Sequence, residues 1–450
     1  MRLPIIDATL RWLEIILAER FGHAWHLARV DAGICLHLAG AECAIYFDAL
    51  CGGFNESQSD QLFTQWDAAR EGWRSILGGS IPAPGVSDLP RPLIESRGSD
   101  HVIHYDILGL TYWALARVEE IDCTGLDSHD RFAAISSHAY KHGYLERPIV
   151  DEWLNVLSQV VQRNWPSIEL KQHNFSIKVS HDVDEPSRYA FKNWKNIGRT
   201  MMSETVLRRN MKSAVFAPWI KLSNASALHP QDPANTFDWI MDVSERHGLT
   251  SAFYFICGRT TPKFDSDYDL EHPIILRLLN HIHERGHEIG LHPSYGSYRT
   301  SKIIKTEASR LRQVAEEVGI KQSEWGGRMH FLQWQQPTTL RAWAEAPMDY
   351  DSSLGYADLP GFRCGTCHEF PGFDATSAEI LPIRVRPLIA MECTVIAKRY
   401  MNLGTGEAAL AKFTQLRQAC RAVEGCFTIL WHNTQLESKD QRRLYEAVLS

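Results

Sequence analysis

The stretch "SHDVDEP", residues 180–186, closes an apolar run with two acids two positions apart. A strand alternates faces with period two, so Asp182 and Asp184 point the same way while His181 and Val183 point away. Two carboxylates in one small space repel each other unless a cation or a shared proton relieves them. A metal ligand beside a general base is one use for such a pair, and a turn cap at the start of a loop is the other. Polar residues suited to the same chemistry close three further apolar runs: "EIGLH" ends on His292, "RMHF" holds Arg328 and His330, and "FTILWHN" runs into His432.

Such residues need a scaffold that gathers strand ends. After residue 170, helix, glycine and apolar strand recur, as in "DWIMDVSERHGLTSAFYFIC", "ILRLLNHIHERGHEIGLH" and "LAKFTQLRQACRAVEGCFTILWHN", with Gly248, Gly286 and Gly425 as helix stops. Another helix carries Ile304, Ala308, Leu311, Ala315 and Val318 on one face, stops at Gly319 and leads into "SEWGGRMHFL". Strands alternating with helices imply a parallel sheet, and a parallel barrel places its chemistry at the carboxyl ends of its strands.

The 450 residues exceed what one core usually serves, which suggests a mixed α/β domain over 1–168 and a second over 169–450. In the first, Ile6, Leu10, Leu13 and Leu17 mark an amphipathic helix capped by Gly22. "ECAIYFDAL" reads as a strand, "SIPAPGVSDLPRP" as a loop, and Pro148 opens a helix. The formal net charge of −7 gives no electrostatic footprint for nucleic acid or an anionic membrane, so neither partner is expected from the bulk charge. Asp7, Arg11, Glu14, Glu19 and Arg20 interrupt the amino-terminal run, so the expectation is a cytoplasmic chain with no membrane span. Of ten cysteines, only Cys364 and Cys367 have C-x-x-C spacing; a structural loop is the first reading, a redox or metal role the second.

Taken in order, "HDVD", "GHEIGLH", "GRMHF" and "TILWH" resemble the motifs of the polysaccharide deacetylases, carbohydrate esterase family four and its relatives, over about residues 170–440. The resemblance implies a distorted (β/α) barrel, usually seven-stranded, with a divalent metal at its mouth that serves removal of acetyl groups from N-acetylated sugars. Residue by residue, it implies Asp182 as general base, Asp184 and His292 as metal ligands, Arg328 as the group orienting the base and His432 as general acid. Asp351 in "YDSSLGYAD" matches the fourth motif more weakly. The departure is Gly296, which stands where the family's second motif has another histidine.

Catalytic zinc commonly uses three protein ligands, so Asp184 and His292 need a third. By strand parity His181 and His287 face away, whereas His330 shares the face of Arg328 and is the favoured third ligand. Zinc is the first choice for this Asp/His/His set, although other divalent ions suit the same donors. A backbone amide near Tyr295 is expected to stabilise the oxyanion, and Tyr295, Tyr298, Trp325 and Trp334 are candidates for a sugar-binding cleft. The substrate expected is an N-acetylated sugar or glycan precursor of bacterial surface-polysaccharide synthesis. The rivals are a barrel without catalysis that binds carbohydrate or acts as a scaffold, and a hydrolase of another amide. The oligomeric state is open.

Overall fold

A computed structural model describes residues 6–31, 33–57, 60–206, 211–223 and 227–450. Residues 1–5 of the amino-terminal run lie outside the described residues. The helix Asp7–Phe21 buries Leu10, Leu13 and Leu17 and ends at Gly22, whose φ of 71° releases the chain from the helix. There follow β1 (Trp25–Val30), β2 (Gly33–Leu38), β3 (Ala44–Phe47), β4 (Phe63–Trp66), β5 (Ile81–Pro84), β6 (Ile94–Arg97) and β7 (Asp100–Ile103). They form a five-stranded sheet of order β1-β2-β3-β7-β6 and an antiparallel β4–β5 pair. The segment expected to be a loop, "SIPAPGVSDLPRP", therefore contributes a strand. Pro82 and Pro84 are tolerated there because β5 has only one partner strand.

The second part supplies β8 (Ser176–Val183), β9 (Ser251–Ile256), β10 (Glu288–His292), β11 (Gly326–Gly327), β12 (Tyr350–Asp351), β13 (Phe370–Asp374), β14 (Glu379–Val385), β15 (Ala390–Met391) and β16 (Cys426–Leu430). Their order is β13-β14-β12-β11-β10-β9-β8-β16-β15, and every pair is parallel except β13–β14. The chain is thus mixed α/β with a large parallel sheet. The hydrogen-bonded ladder is open. Its last parallel strands, β14 and β15, are consecutive pieces of one segment, which passes from β12, where Arg386 N–H bonds Asp351 O, to β16, where Ile389 N–H bonds Thr428 O.

The interior explains the paired glycines of "WGGR". A Cβ on Gly326 would lie 2.0 Å from the Tyr350 ring, and one on Gly327 would lie 1.9 Å from Leu291 O. The bare Gly326 leaves room for the Tyr350 ring, whose hydroxyl meets that of Tyr254 at 3.0 Å beneath Arg328, and the bare Gly327 lets β11 lie against the backbone of β10. Outside the sheet, helices Pro273–Glu284 and Ser301–Glu317 bury the apolar stripes that their periodicity marks. Gly248, Gly286 and Gly319 take positive φ at helix ends, as expected. At the end of Glu407–Ala422 the left-handed residue is instead Glu424, while Gly425 is where a Cβ would strike Cys367 Sγ.

One apolar core runs through both parts of the chain. Trp12 stacks on Phe373 with centroids 4.7 Å apart and donates from Nε1 to Pro371 O. Arg363 pairs with Glu120 at 2.6 Å, both buried. All ten cysteines are free thiols. Cys364 and Cys367 are buried in a loop whose Gly365 O accepts from Val150 N–H, and Asp151, Cys367 and His368 form a cluster in which Asp151 is already bonded by Thr366 and the Cys367 amide.

Candidate functional site

The carboxyl ends of five strands meet. Asp184 follows β8, His292 ends β10, Arg328 and His330 follow β11, Glu392 follows β15, and His432 stands two residues past β16. Asp184 Oδ1 lies 3.3 Å from His292 Nε2 and 3.5 Å from His330 Nε2, and Oδ2 lies 3.7 Å from His432 Nε2. Asp184 Oδ1 is buried with no hydrogen-bond partner among the described residues. His292 Nδ1–H donates to Arg328 O at 2.6 Å, which leaves the Nε2 lone pair facing Asp184. His330 Nδ1 faces Asp265 Oδ1 at 3.5 Å.

Burial alone would raise the Asp184 pKa, but the neighbouring His330, His292 and His432 outweigh it and hold the carboxyl well below its usual range. Burial pulls His292 down, and the Asp182 and Asp184 carboxylates more than reverse this, raising it. The site is therefore a carboxylate drawn toward positive charge, with an unpartnered oxygen and two imidazole nitrogens within reach of one point. This donor set fits a divalent cation such as zinc. Beside it lies a cavity of ≈ 190 Å³ lined by Asp182, His432, Arg131, Phe331, Cys393 and Tyr400 among others.

Asp182 and His432 flank the Asp184–His292–His330 cluster, and each is held by one buried partner. Arg328, fully buried, donates from Nη1 to Asp182 Oδ1 at 2.8 Å. Its other donors go to Ser180 Oγ at 2.8 Å, Ser352 Oγ at 3.0 Å and Ser352 O at 2.9 Å, so the guanidinium cannot swing away. Asp182 Oδ2 is left facing His292 Nε2 at 3.8 Å. Across the cavity His432 Nδ1–H donates to Glu392 Oε1 at 2.6 Å. Burial opposes charge on His432, yet Glu392 and Cys393 outweigh it and hold the imidazole pKa well above its ordinary value.

Several sequence expectations need correction. His330 does reach the face of Arg328, but not by strand parity: β11 stops at Gly327, and His330 opens a short 3-10 turn. The Tyr295 amide is not open to an oxyanion, because it donates to Asp265 Oδ1 at 2.6 Å; the Ser294 and Gly296 amides are bound by Glu307 and Gln333. Gly296 has φ of 80° in that turn, a conformation a histidine adopts only with strain. Tyr298, Trp325 and Trp334 are buried and, like Tyr295, do not line the cavity; Phe331 and Tyr400 do. Asp351 does not line the cavity either. It accepts from Trp334 Nε1 at 3.1 Å and from the Ser353 amide, and burial lifts its pKa to about 6. His181 and His287 face away as parity requires, with His181 Nδ1 on Trp431 O and His287 Nδ1 accepting from Ser251 N–H.

Sequence reasoning missed Asp265, Glu392, Cys393 and Arg131, none of which lies in the motifs. Arg131 comes from the amino-terminal part: its Nη1 donates to Phe331 O at 3.0 Å, and Asp127 fixes its Nε at 2.8 Å. Phe331 and Leu332 have φ of 61° and 57°. Each such non-glycine residue costs about 1–2 kcal/mol, so the turn presenting His330 depends on outside anchors. Arg131→Ala should lower divalent-metal affinity about 10- to 100-fold, as loss of groups that orient metal ligands does. Competition with a chromogenic chelator measures this, and Arg131→Lys should restore part of it.

Residues 40–166 match the model of a family of unknown function, DUF7033. No curated protein matches the chain. Among solved structures, the chain is similar to a candidate polysaccharide deacetylase from Mycobacterium smegmatis (13% identity, TM-score 0.38, covering 62% of this chain and 83% of that one). It is also similar to Puue allantoinase (11%, 0.36, 63% and 84%) and to a probable polysaccharide deacetylase from Pseudomonas aeruginosa PAO1 (12%, 0.35, 62% and 84%).

Proposed function

We propose that this chain is a divalent-metal-dependent amide hydrolase that removes the acetyl group from an N-acetylated sugar or glycan precursor, built on a distorted barrel over residues 169–450. The observation that supports it most is the buried, unpartnered Asp184 Oδ1 facing His292 Nε2 and His330 Nε2, with a held acid and a held base on either side. In this reading Asp184, His292 and His330 hold the ion. When bound, it supplies Lewis acidity to a carbonyl oxygen and acidity to a water.

The chain's own groups do the rest. Asp182, with Oδ1 fixed by Arg328, offers Oδ2 to take a proton from water at the cavity. His432, kept protonated by Glu392, carries the proton that a departing amine needs on its Nε2, which faces Asp184 Oδ2. Separate anchors position the two, Arg328 on Asp182 and Glu392 on His432.

The reading is tested by elemental analysis of protein purified without added metal, together with acetate release from N-acetylglucosamine oligomers and nucleotide-linked N-acetyl sugars. Metal without acetate release on any sugar would move the assignment to another amide. Failure to acquire zinc, manganese, cobalt or nickel on dialysis would leave the carbohydrate-binding or scaffolding role.

The pairing of His432 also sets a pH dependence. A raised pKa keeps the proton donor charged into alkaline solution, so the alkaline limb of kcat should lie well above the ordinary histidine range near 6.5. Glu392→Gln removes the largest raising influence, leaving burial opposed by Cys393, and the limb should move to lower pH. The same pairing contributes stability that is complete below the unfolded-state pKa and is lost as pH rises through the folded one. A kcat–pH profile of both proteins measures the shift; superimposable alkaline limbs would remove Glu392 from this role.

A further inference from the structure

The segment between β8 and β9 carries a surface that the proposed chemistry does not use. It leaves immediately after Asp184 and includes the helices Trp194–Val206 and Met211–Ser223. Its neck is tied at the mouth of the site. Asp232 accepts from Ser187 Oγ at 2.5 Å and from Arg188 N–H at 2.9 Å, while Asn433, next to His432, donates to Glu185 O and Ala234 O. The excursion therefore stands on the same end of the parallel sheet as the candidate ligands.

Two independent features mark it. Between residues 193 and 223 six Lys and Arg stand against one acid, Glu204, in a chain whose formal net charge is −7. Large apolar side chains on its two helices also face water: Trp194 is 54% exposed, Trp219 51%, Met202 70% and Leu222 71%, the values for Met202 and Leu222 being the highest among the described large hydrophobics. The opposite sides of the helices are satisfied, because Ile197, Ala217 and Ile220 pack with Tyr189 into a small core of their own. The exposed apolar residues are thus the outer face of a packed pair.

We infer that this helix pair docks on an anionic phospholipid surface, with Trp194, Met202, Trp219 and Leu222 entering the headgroup region and the exposed Lys195 and Arg199 facing lipid phosphates. Tryptophan beside lysine and arginine is the composition of interfacial helices, in which apolar burial and attraction to anionic lipid act together. Nucleic acid would account for the basic charge and not for the exposed methionine and leucine. Because the neck of the segment is tied next to His432 and Asp184, docking brings the cavity mouth toward the membrane surface, where a lipid-linked saccharide would present its sugar. This last consequence rests on the hydrolase reading; the docking itself does not.

The test is co-sedimentation of the full chain with phosphatidylcholine vesicles and with vesicles of equimolar phosphatidylcholine and phosphatidylglycerol, at low and high salt. The wild type should bind the anionic vesicles and be released by salt. Trp194→Ser/Leu222→Ser and Lys195→Glu/Arg199→Glu should each weaken binding roughly tenfold or more, with unchanged melting temperature and metal content because the substituted side chains are exposed. Wild type that does not bind anionic vesicles at low salt, variants that bind as well as wild type, or binding to RNA without binding to vesicles would each overturn the inference. Loss of acetate release with vesicle binding intact would count against the hydrolase reading alone.

Discussion

Asp182→Asn should retain its metal and lose about 10²- to 10⁴-fold in kcat, the usual contribution of a positioned general base. The substitution keeps size and burial, and the amide oxygen still accepts from Arg328 Nη1, which holds Asp182 Oδ1 at 2.8 Å in the native chain. What disappears is the basic Oδ2 that faces the ligand set. The loss should therefore fall on kcat more than on KM. Steady-state kinetics with parallel metal analysis separates the possibilities. A variant that lost both metal and activity would recast Asp182 as a ligand; one that kept full turnover would remove it from the chemistry.

His330→Ala should have the largest effect on the metal itself, weakening affinity by at least about 100-fold, beyond the range typical of groups that only orient ligands. Without His330, the ligand set is reduced to Asp184 and His292, fewer protein donors than catalytic zinc sites use. The residue is 3% exposed, so some destabilisation is expected as well. His330→Gln, which retains bulk and a polar end, controls for this: it should recover melting temperature without recovering metal. Full metal occupancy in His330→Ala would overturn the ligand assignment and turn attention to Glu392, Cys393 and His432, which also bring ligand atoms close together.

These two variants differ in how far their residues could be read from the chain alone. Asp182 and Asp184 were legible because a regular strand, β8, carries the period of two up to Val183. His292 was legible for a similar reason, as the last residue of β10. His330 was reached by a parity that does not operate, since β11 is two residues long and a turn with left-handed Phe331 and Leu332 delivers the imidazole. Glu392 and Arg131 left no local mark, because each meets its partner across a long stretch of chain: Glu392 with His432 and Arg131 with Phe331.

By itself, the sequence determined the alternation of helix and parallel strand, the polar residues at strand ends, and the shared face of Asp182 and Asp184. Each follows from a period along the chain. Only the tertiary structure decided which groups hold those residues in place: Arg328 on Asp182, Glu392 on His432, and Arg131 on the turn of His330. It also showed that the Tyr295 amide, free in sequence, is taken by Asp265. Periodicity determines the direction in which a side chain leaves its own element. The partner that waits there depends on how distant segments pack, and burial and hydrogen bonding between those segments decide it.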